Sequence, residues 1–135
     1  MAWPKKREPN PKKRNYSEAA SQRIVAAWMR MQHPHLARMM TLGSFGENIG
    51  QRRMGDLKAL GLEPGHADLS FRIPRSGYHG LEIEMKREEP KGVVSPTQKE
   101  IHTLLRQQGY KVEVCYSSES AIAVLKEYLS SAIVS

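Results

Sequence analysis

The sequence predicts an α/β fold, a mixed β-sheet flanked by helices, and three observations carry that expectation. Two alternating apolar and polar runs, residues 67–73 and 81–86, stand either side of a turn containing Pro74 and Gly77 and read as a hairpin. A third alternating run, Tyr110 to Tyr116, follows a helix-length segment that opens on Ser95 and Pro96 and closes at Gly109. Apolar positions at helical spacing flank the set at both ends of the chain.

A chain of 135 residues, 39% of them hydrophobic, can bury one modest core and is too short for two full domains. Its formal charge of +7 is uneven, because Lys5, Lys6, Arg7, Lys12, Lys13 and Arg14 against Glu8 place most of the excess in the first fourteen residues. Interrupted by Pro4, Pro9 and Pro11, residues 1–14 form a basic flexible arm suited to a polyanion such as nucleic acid, and residues 15–135 the folded domain. A solubilising or localising tail explains the arm equally well. No run of about 18 apolar residues exists and the basic start leads into polar sequence, so the reading is a soluble, cytoplasmic protein with no membrane partner. The single cysteine, Cys115, excludes an intrachain disulfide and lies in an apolar strand, where it reads as a packed thiol.

In chain order, Asn15 or Ser17 caps a helix from about Glu18 to Met31, with Ala20, Ile24, Ala27, Trp28 and Met31 as its expected core face, and Pro34 ends it. Glu18 and Gln22, four residues apart, point the same way near its start; helix-dipole stabilisation alone accounts for Glu18. His33-Pro34-His35 is a terminating turn with no further metal-ligating residues close in sequence. Met39 to Leu42 reads as a short strand, and Gly43, Gly46 and Gly50 mark a loop whose spacing does not match a dinucleotide fingerprint. Arg52 to Leu60 is a short helix closed by Gly61, with Leu62 folding back onto it. Arg52 and Arg53 at its start could meet phosphates, although a solvated basic face is the default.

In the hairpin, Ala67, Leu69, Phe71 and Ile73 face one way and Asp68, Ser70 and Arg72 the other, and Leu81, Ile83 and Met85 alternate with Glu82, Glu84 and Lys86. With Pro74 to Tyr78 as the turn, counting back along both strands sets Asp68 opposite Glu84 and Ser70 opposite Glu82. Ser95, Pro96 and Gln98 form a capping-box start to the next helix, with Ile101, Leu104 and Leu105 as its apolar face. A last helix, about Ser118 to Leu129, buries Ile122, Leu125 and Leu129.

Polar residues on a strand are ordinarily its solvated face. Three acids crowding one face of a hairpin repel one another, however, and a divalent cation would relieve that conflict. Mg²⁺ takes a few carboxylate oxygens, keeps waters and accepts phosphate oxygens, and it activates water for attack on phosphorus. Lys86, on the face of Glu84, could orient that water or neutralise transition-state charge, and Gln98 could reach the same edge.

Asp68 followed by Glu84-Met85-Lys86 resembles the signature of the PD-(D/E)XK nuclease superfamily. The fuller set, Gly65 to Asp68, Gly80 to Lys86, Ser95-Pro96-Thr97-Gln98 and Gly109 to Cys115, resembles its VRR-NUC branch, which includes stand-alone phage and bacterial proteins. Glu18 with Gln22 is similar to the helix that opens these domains. The resemblance implies a restriction-endonuclease-like mixed sheet and Mg²⁺- or Mn²⁺-dependent endonucleolytic cleavage of DNA. Asp68, Glu84 and the Met85 carbonyl are the implied metal ligands, Lys86 is catalytic, Gln98 supports, and Glu18 is an additional acid. It further implies a homodimer acting on branched DNA, of viral or prophage origin, in a bacterial or phage-infected cytoplasm. Two departures stand out: Ala67 where the family has proline before the aspartate, and Glu82 where it has an apolar or aromatic residue, which sets a second carboxylate in competition for the metal. A non-catalytic basic nucleic-acid-binding protein is the alternative from another class, and a restriction-type nuclease with base readout the alternative within the superfamily.

Overall fold

The computed structural model describes residues 16–42 and 51–133, so the six cationic residues of the arm and the glycines at 43, 46 and 50 lie outside the described residues. The elements are α1 (Glu18–Gln32), a 3-10 turn at Leu36–Met39, β1 (Met40–Leu42), α2 (Gln51–Ala59), β2 (Leu69–Phe71), β3 (Leu81–Met85), α3 (Pro96–Gln107), β4 (Lys111–Cys115) and α4 (Ser118–Ser130). The four strands lie side by side in chain order. β1 with β2 and β2 with β3 are antiparallel, and β3 with β4 is parallel. A parallel neighbour needs a crossover, and α3 supplies it.

The hairpin keeps the register that its alternation predicts: Leu69 pairs with Ile83, Ser70 with Glu82 and Phe71 with Leu81. Its tip is tighter than Pro74 to Tyr78, since Arg75 bridges Tyr78 around Ser76 and Gly77, both at positive φ. One extra residue on the β2 side therefore separates tip from ladder, a bulge-like offset that leaves the deep end in place.

One face of the sheet carries the core. Leu69, Phe71, Ile73, Leu81, Ile83 and Met85 are buried there with Val25 and Met29 of α1 and Ala121, Leu125 and Tyr128 of α4. Each large apolar side chain so buried contributes roughly 1.5–3 kcal/mol. Ile122 and Leu129, expected at the centre of the α4 face, pack at its margin, while Ala121 and Tyr128 are fully enclosed. In α1 the buried stripe is Ser21, Val25 and Met29, one position round from the expected Ala20, Ile24, Ala27 and Met31. Ile24 and Met31 face solvent, and Trp28 straddles the boundary. Small Ser21 allows close helix approach, which a count of apolar residues does not register. Ser17 is the N-cap, accepting from Ala20 N–H at 3.1 Å, and the helix stops two residues before Pro34. Cys115 is buried as expected, and burial pushes its thiol up to about 11.

The other face departs from the expectation of a solvated surface. Glu82 is 6% and Glu84 2% exposed, because β3 lies between β2 and β4 and α3 returns across the acids. Within α3 the fully buried residue is His102, whereas Leu104 is 50% exposed. The side of α3 turned to the sheet is thus more polar than its leucines suggest.

Candidate active site

Asp68 reaches the site through a glycine. Gly65 has φ +98°, and a Cβ there would stand 2.9 Å from the Thr97 carbonyl oxygen and 3.0 Å from Ile101 Cγ1. Only a residue without a side chain lets the chain pass so close beneath the first turns of α3. Three residues later Asp68, half-buried, accepts a hydrogen bond from the Met85 N–H at 2.7 Å through Oδ2. That bond ties the start of β2 to the end of β3, and one step beyond the Leu69–Ile83 pair the same register sets Asp68 beside Glu84.

Glu84 is the centre of the cluster. Its Oε1 accepts from Gln98 Nε2 at 3.0 Å and lies 3.4 Å from Lys86 Nζ, whose side chain is 10% exposed. Burial first, then repulsion from Asp68, pushes its carboxyl up to about 7, against the opposing pull of Lys86. Its Oε2 is fully buried without a hydrogen-bond partner and faces His102 Nε2 at 3.9 Å. Burial, then the charges of Arg106, Lys86 and His66, hold His102 below the usual histidine range, so it is a neutral imidazole at neutral pH.

Gln98 does two things at once. Its Oε1 accepts from the Ser95 N–H at 2.9 Å, closing the capping box, while its Nε2 donates to Glu84. Glu82 is held apart: Ser70 Oγ donates to its Oε1 at 2.6 Å. Burial raises the Glu82 carboxyl, with Ser70 and Arg72 opposing. Glu18 comes to the rim, where its Oε1 accepts from the Arg87 N–H at 3.3 Å. A Cβ on Gly92 would lie 3.3 Å from that oxygen and 3.1 Å from Lys86 Cβ, so a bare glycine keeps the strand exit open to the Glu18 carboxylate.

The structure thus brings Asp68, Glu84, Lys86 and Gln98 together, with Met85 between them and Glu18 alongside. Arg52 and Arg53 lie in α2, whose first four side chains are outside the described set, as is the whole arm. His33 packs edge-on to Trp28 at 5.7 Å between ring centroids, which accounts for it without a metal. Sequence reasoning missed His102; the available signal was its position four residues after Gln98, on the same side of α3.

The donor set fits a hard divalent cation. The register sets Asp68 beside Glu84, whose proton affinity is raised by burial and then by Asp68, and a cation would relieve that repulsion. Among the described residues no three His, Cys, Asp or Glu side chains converge as a closed metal cage. An ion here would complete its shell from the Met85 carbonyl, water and phosphate oxygens, the habit of Mg²⁺.

Comparison with known proteins bears on this geometry. The VRR-NUC domain family matches residues 16–119. A solved structure described as a VRR_NUC domain protein superposes with a TM-score of 0.73 at 27% identity, covering 86% of this chain and 90% of its own. No curated protein matches the chain.

Proposed function

The chain belongs to the VRR-NUC domain family, a nuclease family, and from that premise we propose that it hydrolyses DNA phosphodiester bonds as a Mg²⁺- or Mn²⁺-dependent endonuclease selective for branched DNA. The observation that supports this most is the convergence on one buried carboxylate, Glu84, of an acid from β2, a lysine from its own strand and an amide from α3. Asp68, Glu84 and the Met85 carbonyl would hold the ion. When bound, it stabilises negative charge on the phosphate oxygens and makes water more acidic. Water oxygen bonds to phosphorus as the bond to the leaving sugar oxygen breaks, and the site residues divide the remaining work.

Lys86, 3.4 Å from Glu84 and nearly enclosed, carries its ammonium at the mouth of the acid pair, placed to orient the attacking water and to neutralise charge on the pentacovalent phosphorus. Gln98 immobilises Glu84 Oε1, and α3 excludes bulk water from that side, which strengthens each of these interactions. Glu18 at the rim is an additional acid, anchored to backbone beside Lys86. The basic arm, with Arg52 and Arg53, binds the DNA backbone. A homodimer working in the cytoplasm of a bacterial or phage-infected cell completes the reading.

The test is a panel of flap, four-way-junction and linear duplex DNAs incubated with Mg²⁺, Mn²⁺ or chelator, using the parental protein and Asp68→Asn. The asparagine carbonyl can still accept from the Met85 N–H, so the variant keeps its fold and loses a ligand charge. Metal-dependent cutting that Asp68→Asn abolishes is expected. DNA binding with no cutting in any metal would assign the chain to the non-catalytic binders instead.

A further inference from the structure

Two buried polar atoms in the described structure face one another without partners: Glu84 Oε2 and His102 Nε2, 3.9 Å apart on side chains 2% and 3% exposed. A buried polar group left unsatisfied is destabilising, and here neither atom has solvent exposure through which water could relieve it. The spacing is about 1 Å beyond a hydrogen bond, a gap that a small torsion of either side chain closes. An ion that keeps waters and contacts DNA has no room between two enclosed atoms. An imidazole nitrogen that carries its proton is a donor, and a carboxylate oxygen is an acceptor.

Building on the nuclease reading above, we propose that His102 is a positioning residue, donating from Nε2 to Glu84 Oε2 and thereby fixing the plane of the carboxylate that holds the metal. Glu84 is then held from both sides: Lys86 and Gln98 at Oε1, His102 at Oε2. The same stretch of α3 supplies both side-chain donors, with Gln98 and His102 one helical turn apart. A metal-binding carboxylate deprived of such an outer partner characteristically loses 10- to 100-fold in metal affinity.

The experiment uses the full chain without DNA and titrates Mn²⁺, following free ion by electron paramagnetic resonance. His102→Leu, which fills similar space without a donor, is expected to weaken Mn²⁺ binding by about 10- to 100-fold. His102→Gln, which keeps a donor at similar reach, is expected to recover most of it. Equal affinity in the parental protein and His102→Leu overturns the proposal, as does a folded His102→Gln that binds no better than a folded His102→Leu. No Mn²⁺ binding by the parental protein refutes the metal reading itself and takes this proposal with it. A second measurement needs no variant: long-range ¹H–¹⁵N correlation of the imidazole rings at alkaline pH is expected to show the His102 proton on Nε2. A proton on Nδ1 overturns the assignment even where a substitution fails to fold.

Discussion

Ionising Glu84 in the metal-free protein costs stability, and the cost is measurable. Its carboxyl stands at about 7 against an ordinary 4.5, through burial and then repulsion from Asp68, with Lys86 opposing. At about 1.4 kcal/mol per pH unit, that interval makes ionisation cost about 3 kcal/mol more in the folded protein than in the unfolded chain. Between 4.5 and about 7 the folded protein retains a proton that the unfolded chain has released, so stability falls as pH rises through that window. The penalty is absent below 4.5 and complete above about 7. Glu84→Gln cannot ionise, and differencing it against the parental protein cancels the slopes of groups that do not interact with Glu84. Urea melts from about pH 4.5 to about pH 8 should show the variant gaining about 3 kcal/mol relative to the parent, roughly 10 °C in Tm for a domain of this size. Mn²⁺ at the alkaline end should restore the parent and leave the variant unchanged. Parallel stability curves across the whole range would refute the electrostatic account of this site.

Glu84→Gln should abolish metal-dependent cleavage while Glu82→Gln leaves most of it, because Glu82 is tied to Ser70, which a glutamine oxygen can still accept from; gel-based nicking assays decide, and the reverse pattern sinks the assignment. Gln98→Ala removes a capping interaction of about 1 kcal/mol and also a hydrogen bond to a charged group worth about 1.5–3 kcal/mol, so cleavage should fall roughly 10- to 100-fold. Gln98→Glu keeps the acceptor for the Ser95 N–H but sets a carboxylate against Glu84, and should cut as poorly; parental rates in both would leave Gln98 a cap alone. Deleting residues 1–14 should reduce the log–log salt slope of duplex binding by about 0.9 for each phosphate that the arm neutralises, and an unchanged slope would show that the arm does not touch DNA.

The hairpin register was legible because alternation fixes it twice over: a one-residue slip would turn Asp68 and Glu84 into the core and Leu69 and Ile83 out of it. The caps were legible too, since Ser17 and Ser95 act within three residues of themselves. What could not be read depends on non-local packing. The buried stripe of α1 runs through Ser21 because α1 packs against both α4 and the sheet, whereas periodicity alone favoured the side with Ile24 and Met31. The burial of Glu82 and Glu84 depends on where a helix fourteen residues further along comes to rest. His102 offered one local signal, its place one turn after Gln98 on the same side of α3, and its burial against Glu84 depends on the same non-local packing.

Gln98 had two competing explanations in the sequence, cap or site residue, and both ends of its amide are engaged, one in the cap and one on Glu84. That has a mechanical consequence. The first turn of α3 cannot loosen without releasing Glu84 Oε1, and Glu84 cannot swing away without leaving the half-buried Gln98 amide donor without this partner. His102 and Arg106 continue the same line at one-turn intervals, and Arg106 donates to the Val112 carbonyl oxygen on β4 at 3.0 Å. At 1.5 Å per residue, Gln98 to Arg106 spans about 12 Å, so polar side chains fasten α3 to the sheet near both of its ends. A helix held by leucines could tilt and repack at little cost. One held by directional donors has a single seat, and in that seat it fixes the orientation of the acid at the centre of the site.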